Sequence, residues 1–217
     1  MNLVFLGPPG SGKGTQAKKL SSTYKWPQLS TGDMLRAAIS NRTPIGIEAE
    51  RYMQHGQLVP DELVIGIIQD RIRQQDCSAG FILDGFPRTV PQAQALDRML
   101  SDLNRSVDSA ILFDIKDEVL VGRLTGRRTC LKCGAMYHVQ TLPPKKAGVC
   151  DNCSSQLVQR EDDNENVIRK RLQIYHEMTA PVAQYYSKNA KLKTLDASLD
   201  SARVNALVVE TVAASLH

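Results

Sequence analysis

The chain has 217 residues and is 42% hydrophobic, enough for one α/β domain with a buried sheet and small insertions. Its 27 Lys and Arg stand against 23 Asp and Glu, and the resulting net charge of +4 is far from the clustered basicity of a dedicated nucleic-acid binder. No apolar run approaches the ~20 residues of a membrane span and no basic leader precedes the first strand, so the expectation is a cytoplasmic protein with no membrane or nucleic-acid partner.

The apolar pentad Asn2-Leu3-Val4-Phe5-Leu6 predicts a strand that runs straight into Gly7-Pro8-Pro9-Gly10-Ser11-Gly12-Lys13-Gly14-Thr15 and then into a helix over 13–24. Strand, glycine loop and helix in that order are a phosphate-binding loop. Successive backbone N–H groups turn inward on a polyphosphate, the helix N-terminus adds positive dipole, and Lys13 reaches the terminal phosphates. Gly10, Ser11, Gly12, Lys13, Gly14 and Thr15 are therefore candidates for binding ATP. One departure stands out: the general motif has Ser or Thr directly after the lysine, whereas this chain has Gly14 there and delays the hydroxyl to Thr15.

Next comes a segment, 30–59, that reads as two short helices between Ser30 and Pro60, with Ser30 and Asp33 in a helix-capping arrangement. Beyond it, a helix over 61–75 leads to a strand, Gly80 to Asp84, whose terminal carboxylate continues into Gly85-Phe86-Pro87-Arg88. A strand-end Asp beside a phosphate loop commonly holds magnesium. No acidic residue follows Asp84 to activate a water, which favours transfer to an acceptor other than water over hydrolysis. Helices over 89–101 and 117–125 flank a strand, Ala110 to Ile115, and the alternation predicts a parallel sheet covered by helices.

The segment 126–163 breaks the rhythm and reads as loop. It carries Cys130-x-x-Cys133 and Cys150-x-x-Cys153, two knuckles separated by 16 residues, among turn-forming glycines and prolines. Four thiolates close a tetrahedral shell and leave no position for substrate, so the expected zinc is structural. About 38 residues have too little core to hold themselves together, which calls for such a staple. Disulfides are the alternative, disfavoured in a reducing compartment. Cys77 is left over as a buried thiol, and His138 finds a tetrahedron already filled. After this segment a helix is expected over 164–187, with Val167, Leu172 and Tyr175 toward the core, then a strand from Leu192 to Leu195 and a helix over 200–215.

Phosphoryl transfer is mostly positioning and neutralisation of charge, for which planar bidentate guanidinium groups are suited. Candidates are Arg36, Arg88, Arg123, Arg127, Arg160 and Arg171. Arg123 and Arg127 lie four apart and are expected on one helix face where the chain enters the cysteine segment, and Arg160 lies at its exit. Arg169 and Arg171 cannot share a helix face, so one of them is expected to be functional.

Through these motifs the chain resembles the adenylate kinases of the long, zinc-lid form over essentially its whole length. The motifs that carry the likeness are Gly7 to Thr15, Ser30 to Arg36, Gly56 to Asp61, Asp84 to Arg88 with Gln92, Gly122-Arg123 through Arg127, Tyr137-His138, and Arg160 through Arg171. The resemblance implies a P-loop three-layer fold with a core formed by 1–29, 60–125 and 164–217, a helical AMP-binding flap at 30–59 and a zinc-binding lid at 126–163. It implies reversible transfer of the terminal phosphoryl of MgATP to AMP, giving two ADP, by a monomer. By this likeness Thr31, Gln57, Leu58, Val59 and Gln92 hold the adenine and ribose of AMP. Gly85, Phe86 and Pro87 line its site, and Arg36, Arg88 and Arg171 hold its phosphate. Arg123 and Arg127 clamp ATP, Met136 and Tyr137 lie beside its ribose, and Leu199 marks a backbone contact to its adenine. Arg160 reaches the transferring group, and Lys13, Asp84, Arg88, Arg127, Arg160 and Arg171 form the catalytic set. Asp162 and Asp163 tie lid to hinge.

Two other readings share parts of this pattern. A kinase for a different nucleoside monophosphate would keep the phosphate machinery and differ near Thr31 and Gln92. A nucleic-acid-dependent ATPase would use the cysteine segment as a zinc ribbon, but one Trp, four Phe and six Tyr, few of them near basic clusters, give strands little to stack on.

Overall fold

The computed structural model describes residues 1–215. In chain order its regular elements are β1 (Asn2–Leu6), α1 (Lys13–Tyr24), β2 (Gln28–Ser30), α2 (Thr31–Ser40), α3 (Pro44–Gln54), α4 (Asp61–Ile72), β3 (Phe81–Asp84), α5 (Val90–Ser101), β4 (Ser109–Asp114) and α6 (Asp117–Thr125). There follow β5 (Arg127–Cys130), β6 (Met136–His138), β7 (Leu157–Val158), α7 (Glu165–Ile174), α8 (Ala180–Lys188), β8 (Leu192–Asp196) and α9 (Ser201–Ala214).

Among the described residues the main sheet has five strands in the order β2-β3-β1-β4-β8, every neighbouring pair parallel. Alternation along the strands sends side chains to two cores, one on each face. Val4 and Leu6 of β1 join Phe81 and Leu83 of β3 on one side, packed by α4, α5 and α8; Leu3 and Phe5 join Ile82, Ile111 and Phe113 on the other, packed by α1 and α9. The register sets Phe5 beside Asp84, so the loop after β1 and the carboxylate ending β3 emerge together at the carboxyl edge of the sheet. In open parallel sheets that edge is where ligands bind.

Two excursions leave this core. The first is the α2–α3 pair. Ser30 caps α2 by accepting from Asp33 N at 3.3 Å, and Thr43 caps α3 by accepting from Gly46 N. A Cβ on Gly46 would lie 2.1 Å from the carbonyl oxygen of Ala38, so only glycine lets the two helices approach this closely.

The second excursion is not the loop expected over 126–163. It holds a three-stranded antiparallel sheet, β6-β5-β7. These strands are two to four residues long and interrupted by the cysteine knuckles, too short to display a period. Short length also hid β2. The expected helix over 164–187 is interrupted by a π-turn at Tyr175–Thr179, just before Pro181, which has no N–H to continue the ladder. Ile168 joins Leu172 in the packed face of α7, while Val167 and Tyr175 are only partly buried.

Candidate functional site

A cavity of about 1020 Å³ opens over the carboxyl edge of the sheet, lined by the loop after β1, by Asp84 and by residues of the cysteine-bearing sheet. Lys13 projects from the first turn of α1 and donates to the carbonyls of Gly7 at 2.7 Å and Pro8 at 2.8 Å, with Ser11 Oγ at 3.3 Å. Gly10, Ser11, Gly12, Gly14 and Thr15 share the lining. Gly14 is explained by its neighbour. A Cβ there would lie 3.1 Å from Asp84 Oδ2, so the position after the lysine is pressed against the strand-end carboxylate. Asp84 is itself held by Gln28, whose Nε2 donates to Oδ2 at 2.9 Å.

Burial pushes the Lys13 ammonium down to about 8, the nearby Arg88, Arg171 and Arg127 push the same way, and Asp84 opposes them. Arg88 and Arg160 are each lowered to about 10, first by burial and then by surrounding cations. Arg171 is lowered for the same first reason. Several cations thus converge where positive charge is in excess, the electrostatic condition for receiving an anion with several charges.

Carboxylates pair with several of these cations. Arg127 holds Asp163 in a bidentate pair, Nε to Oδ2 at 2.8 Å and Nη2 to Oδ1 at 2.5 Å. Arg171 Nη1 meets Asp162 Oδ2 at 2.9 Å. Arg36 meets Asp33 at 2.6 Å, and Arg160 lies 3.6 Å from the same carboxylate oxygen. Arg169 instead pairs with Glu165 on the exposed side of α7. Of Arg169 and Arg171, only Arg171 lines the two cavities.

A second pocket lies between the α2–α3 pair and the core. It brings together Thr31, Arg36, Gln57, Leu58, Val59 and Gln92, joined by Gly85, Arg88 and Arg171. Thr31 donates its hydroxyl to Gly85 O at 2.8 Å, which fixes the start of α2 against the turn after β3.

Several expected residues are placed differently. Arg123 and Arg127 do not share a helix face: α6 ends at Thr125 with Gly126 as its cap, and Arg127 opens β5. Arg123 turns to Ala197 O at 3.0 Å and Ser198 O at 3.4 Å, bracing the loop that carries Leu199, while Arg127 turns to Asp163. Phe86 is fully buried in the core and lines neither cavity; only its neighbours Gly85 and Pro87 do. Met136 reaches the phosphate loop near Gly14. Tyr137 lines the large cavity with Met136, and its hydroxyl accepts from Asp151 N at 2.8 Å beside Cys150 Sγ at 3.6 Å. Gln28 and Lys18 escaped the sequence reading, and Asp61 entered it only as the end of the motif Gly56 to Asp61, with no role given. Lys18 crosses from α1 to the carbonyl of Gly134 in the first cysteine knuckle.

The thiols of Cys130, Cys133, Cys150 and Cys153 all lie within 4.8 Å of one another, with Cys130–Cys153 at 3.4 Å and Cys133–Cys150 at 3.5 Å. A tetrahedral ion with thiolate arms of ~2.3 Å needs sulfur–sulfur edges of about 3.8 Å, so the donor set fits. His138 stands apart: Nδ1 accepts from Gln140 N and Thr141 N, both at 3.1 Å, and Nε2 donates to Gly122 O.

A glycine loop and its lysine at the head of a parallel sheet, facing a strand-end carboxylate and arginines drawn from several elements, define a P-loop phosphotransferase, and a second pocket adjoins them. The family model described as adenylate kinase matches residues 5–191. Curated relatives include adenylate kinases of Syntrophobacter fumaroxidans, 53% identical over 90% of this chain and 92% of the relative, and of Geobacter sp. (strain M21), 56% identical over the same shares. The adenylate kinase of Archaeoglobus fulgidus is 52% identical over 92% of both chains. The chain belongs to the adenylate kinase family.

Proposed function

We propose that the chain transfers the terminal phosphoryl group of MgATP reversibly to AMP, giving two ADP, with the phosphate loop holding the donor and the pocket between α2–α3 and the core holding the acceptor. The observation that carries this assignment of sites is the crowd of cations with lowered affinity for protons lying between two adjoining cavities. Lys13 and the loop amides would hold the β- and γ-phosphates, with Arg123 and Arg127 on the donor side. Arg36, Arg88 and Arg171 would hold the AMP phosphate, and Arg160 the transferring group. An ionised AMP phosphate is already a nucleophile and needs no general base. Asp84, held by Gln28, is the carboxylate that would hold magnesium or its waters when it comes with ATP, and the ion would there neutralise phosphate charge.

On this reading 30–59 is a flap over AMP, 126–163 a lid over ATP, and the remainder a monomeric core. Closing both brings acceptor and donor in line while expelling water. The four thiolates would hold zinc, a closed shell that folds the lid and does no chemistry. Among the described residues no helix is long and apolar enough to cross a membrane, and the cytoplasmic assignment rests on the sequence expectation.

The test is product analysis with MgATP and, separately, AMP, GMP, CMP, UMP, dTMP, single-stranded DNA or no acceptor. Two ADP per ATP consumed, only with AMP, is the expected result. Preference for another monophosphate would move the acceptor assignment, and phosphate release that rises with DNA would overturn it.

A further inference from the structure

The side-chain amide of Gln92 is gripped at both ends by groups whose hydrogen-bonding sense cannot reverse. Arg88 N donates to Gln92 Oε1 at 2.7 Å, and Gln92 Nε2 donates to Asp61 Oδ1 at 2.7 Å. The other Asp61 oxygen accepts from the Thr89 hydroxyl at 2.8 Å, and Thr89 Oγ1 caps α5 by accepting from Gln92 N. A backbone N–H can only donate and a carboxylate can only accept. Turning the amide over would set N–H against N–H and oxygen against carboxylate. Each end keeps one free valence, a lone pair on Oε1 and a hydrogen on Nε2. Gln92, though 2% exposed, lines the acceptor pocket; Asp61 lies behind it and does not.

We propose that Asp61 is the positioning residue that makes the acceptor site read adenine and reject 6-oxopurines. The inference rests on the reading that Gln92 meets the base of the acceptor nucleotide. Adenine presents an N6 donor beside an N1 acceptor; the amide as held presents an acceptor beside a donor, its complement. Guanine and hypoxanthine present O6 as acceptor beside N1–H as donor, which demands the opposite amide. A glutamine free to rotate serves both, because its oxygen and nitrogen ends are nearly the same size and exchange by a half-turn. Asp61 and Arg88 N remove that freedom. Discrimination then comes from a polar mismatch inside a buried site, which costs far more than a mismatch of shape.

Inosine monophosphate is the probe, since it differs from AMP only in the two groups at issue. With MgATP as donor, Asp61→Asn is expected to raise the ratio of kcat/KM for IMP to that for AMP by about tenfold or more, through KM for the monophosphate, with KM for ATP unchanged. Asp61→Ser removes the carboxylate but keeps a hydroxyl at the helix start, and supplies the same measurement if the Asn variant does not fold. Gln92→Leu is measured alone and with Asp61→Asn. If Gln92→Leu abolishes the preference for AMP and Asp61→Asn then adds nothing, Asp61 acts through Gln92 as proposed. If Gln92→Leu abolishes the preference but Asp61→Asn alone leaves it intact, or lowers kcat for both acceptors equally, the proposal is overturned while the base-site reading stands. If Gln92→Leu leaves the preference intact, that reading falls and the proposal with it.

Discussion

Arg160 Nη2 lies 3.6 Å from Asp33 Oδ1, and Arg36 Nη2 lies 2.6 Å from the same oxygen, so one carboxylate of the α2–α3 pair draws together two cations that the proposed mechanism assigns to phosphate. Burial alone would raise the Asp33 carboxyl. Arg36, by charge and by hydrogen bond, and Arg160 outweigh that and hold it below the ordinary carboxylate range, so it is ionised at neutral pH. Asp33 therefore competes with an incoming phosphate for both guanidinium groups. Because Asp33 is half exposed, its pairs are worth at most about 1 kcal/mol. Asp33→Asn is accordingly expected to lower KM for AMP by up to about fivefold while leaving KM for ATP unchanged, in steady-state kinetics at low salt. A rise in KM for AMP would instead mean that the carboxylate serves mainly to hold Arg36 ready.

Lys13 presents the opposite case, a partly buried cation on the cavity wall whose direct partners are two carbonyls and a hydroxyl. Its pKa in the folded protein, about 8 against an ordinary 10.5, means that between those values the unfolded chain binds more protons than the native one. By linkage, this group makes stability rise with pH across that window. Removing the charge should relieve the same penalty at neutral pH. Lys13→Met is expected to raise stability by about 1–2 kcal/mol, a gain of a few degrees in Tm, while cutting transfer by about 10²-fold or more. The wild-type profile follows from the same value: kcat/KM for ATP should fall as pH rises past about 8, where the free enzyme loses the Lys13 proton. In kcat the fall should come at higher pH, because bound phosphates hold that proton. Retained turnover in a folded Lys13→Met variant would remove Lys13 from the mechanism.

How much of this was legible in the sequence depends on how local the signal is. The phosphate loop declares itself because its glycines, lysine and flanking strand and helix are contiguous, and the strands ending at Leu6 and Asp84 are apolar runs of adequate length. The strand β2, three residues long, carries no period, and its Gln28 reaches Asp84 only through the β2–β3 register that sets Ser30 beside Asp84. Asp61 and Gln92 lie far apart in sequence and meet only when α4 packs beside α5. The helix-face reading of Arg123 and Arg127 failed for a local reason, since Gly126 ends the helix between them. Spacing tells which residues could share a face only as far as the element continues. The contact of the Tyr137 hydroxyl with Asp151 N and Cys150 Sγ is a tertiary choice with no mark in its sequence neighbours.

The thiol cluster lets two roles of the proposed zinc be told apart, holding the segment 126–163 together and taking part in chemistry beside it. Cys130 and Cys150 are buried while Cys133 is exposed and Cys153 partly so; around them the packed apolar residues are few, Tyr137, Leu157 and the partly buried Ala135. So small a core does not hold three short strands by itself, and the proposed zinc would supply the remaining stabilisation. Cys130→Ser leaves three thiolates and a buried hydroxyl where a fourth belongs. The expected outcome is a midpoint of thermal inactivation lower by about 5–10 °C, with turnover at 10 °C close to wild type, and chelation of the wild-type protein should give the same separation. If turnover in the cold falls as far as stability does, the ion is not merely a staple: it would be setting the angle at which β5 presents Arg127 to the phosphates. The two outcomes are told apart by KM for ATP, which a staple leaves alone and a misplaced Arg127 raises.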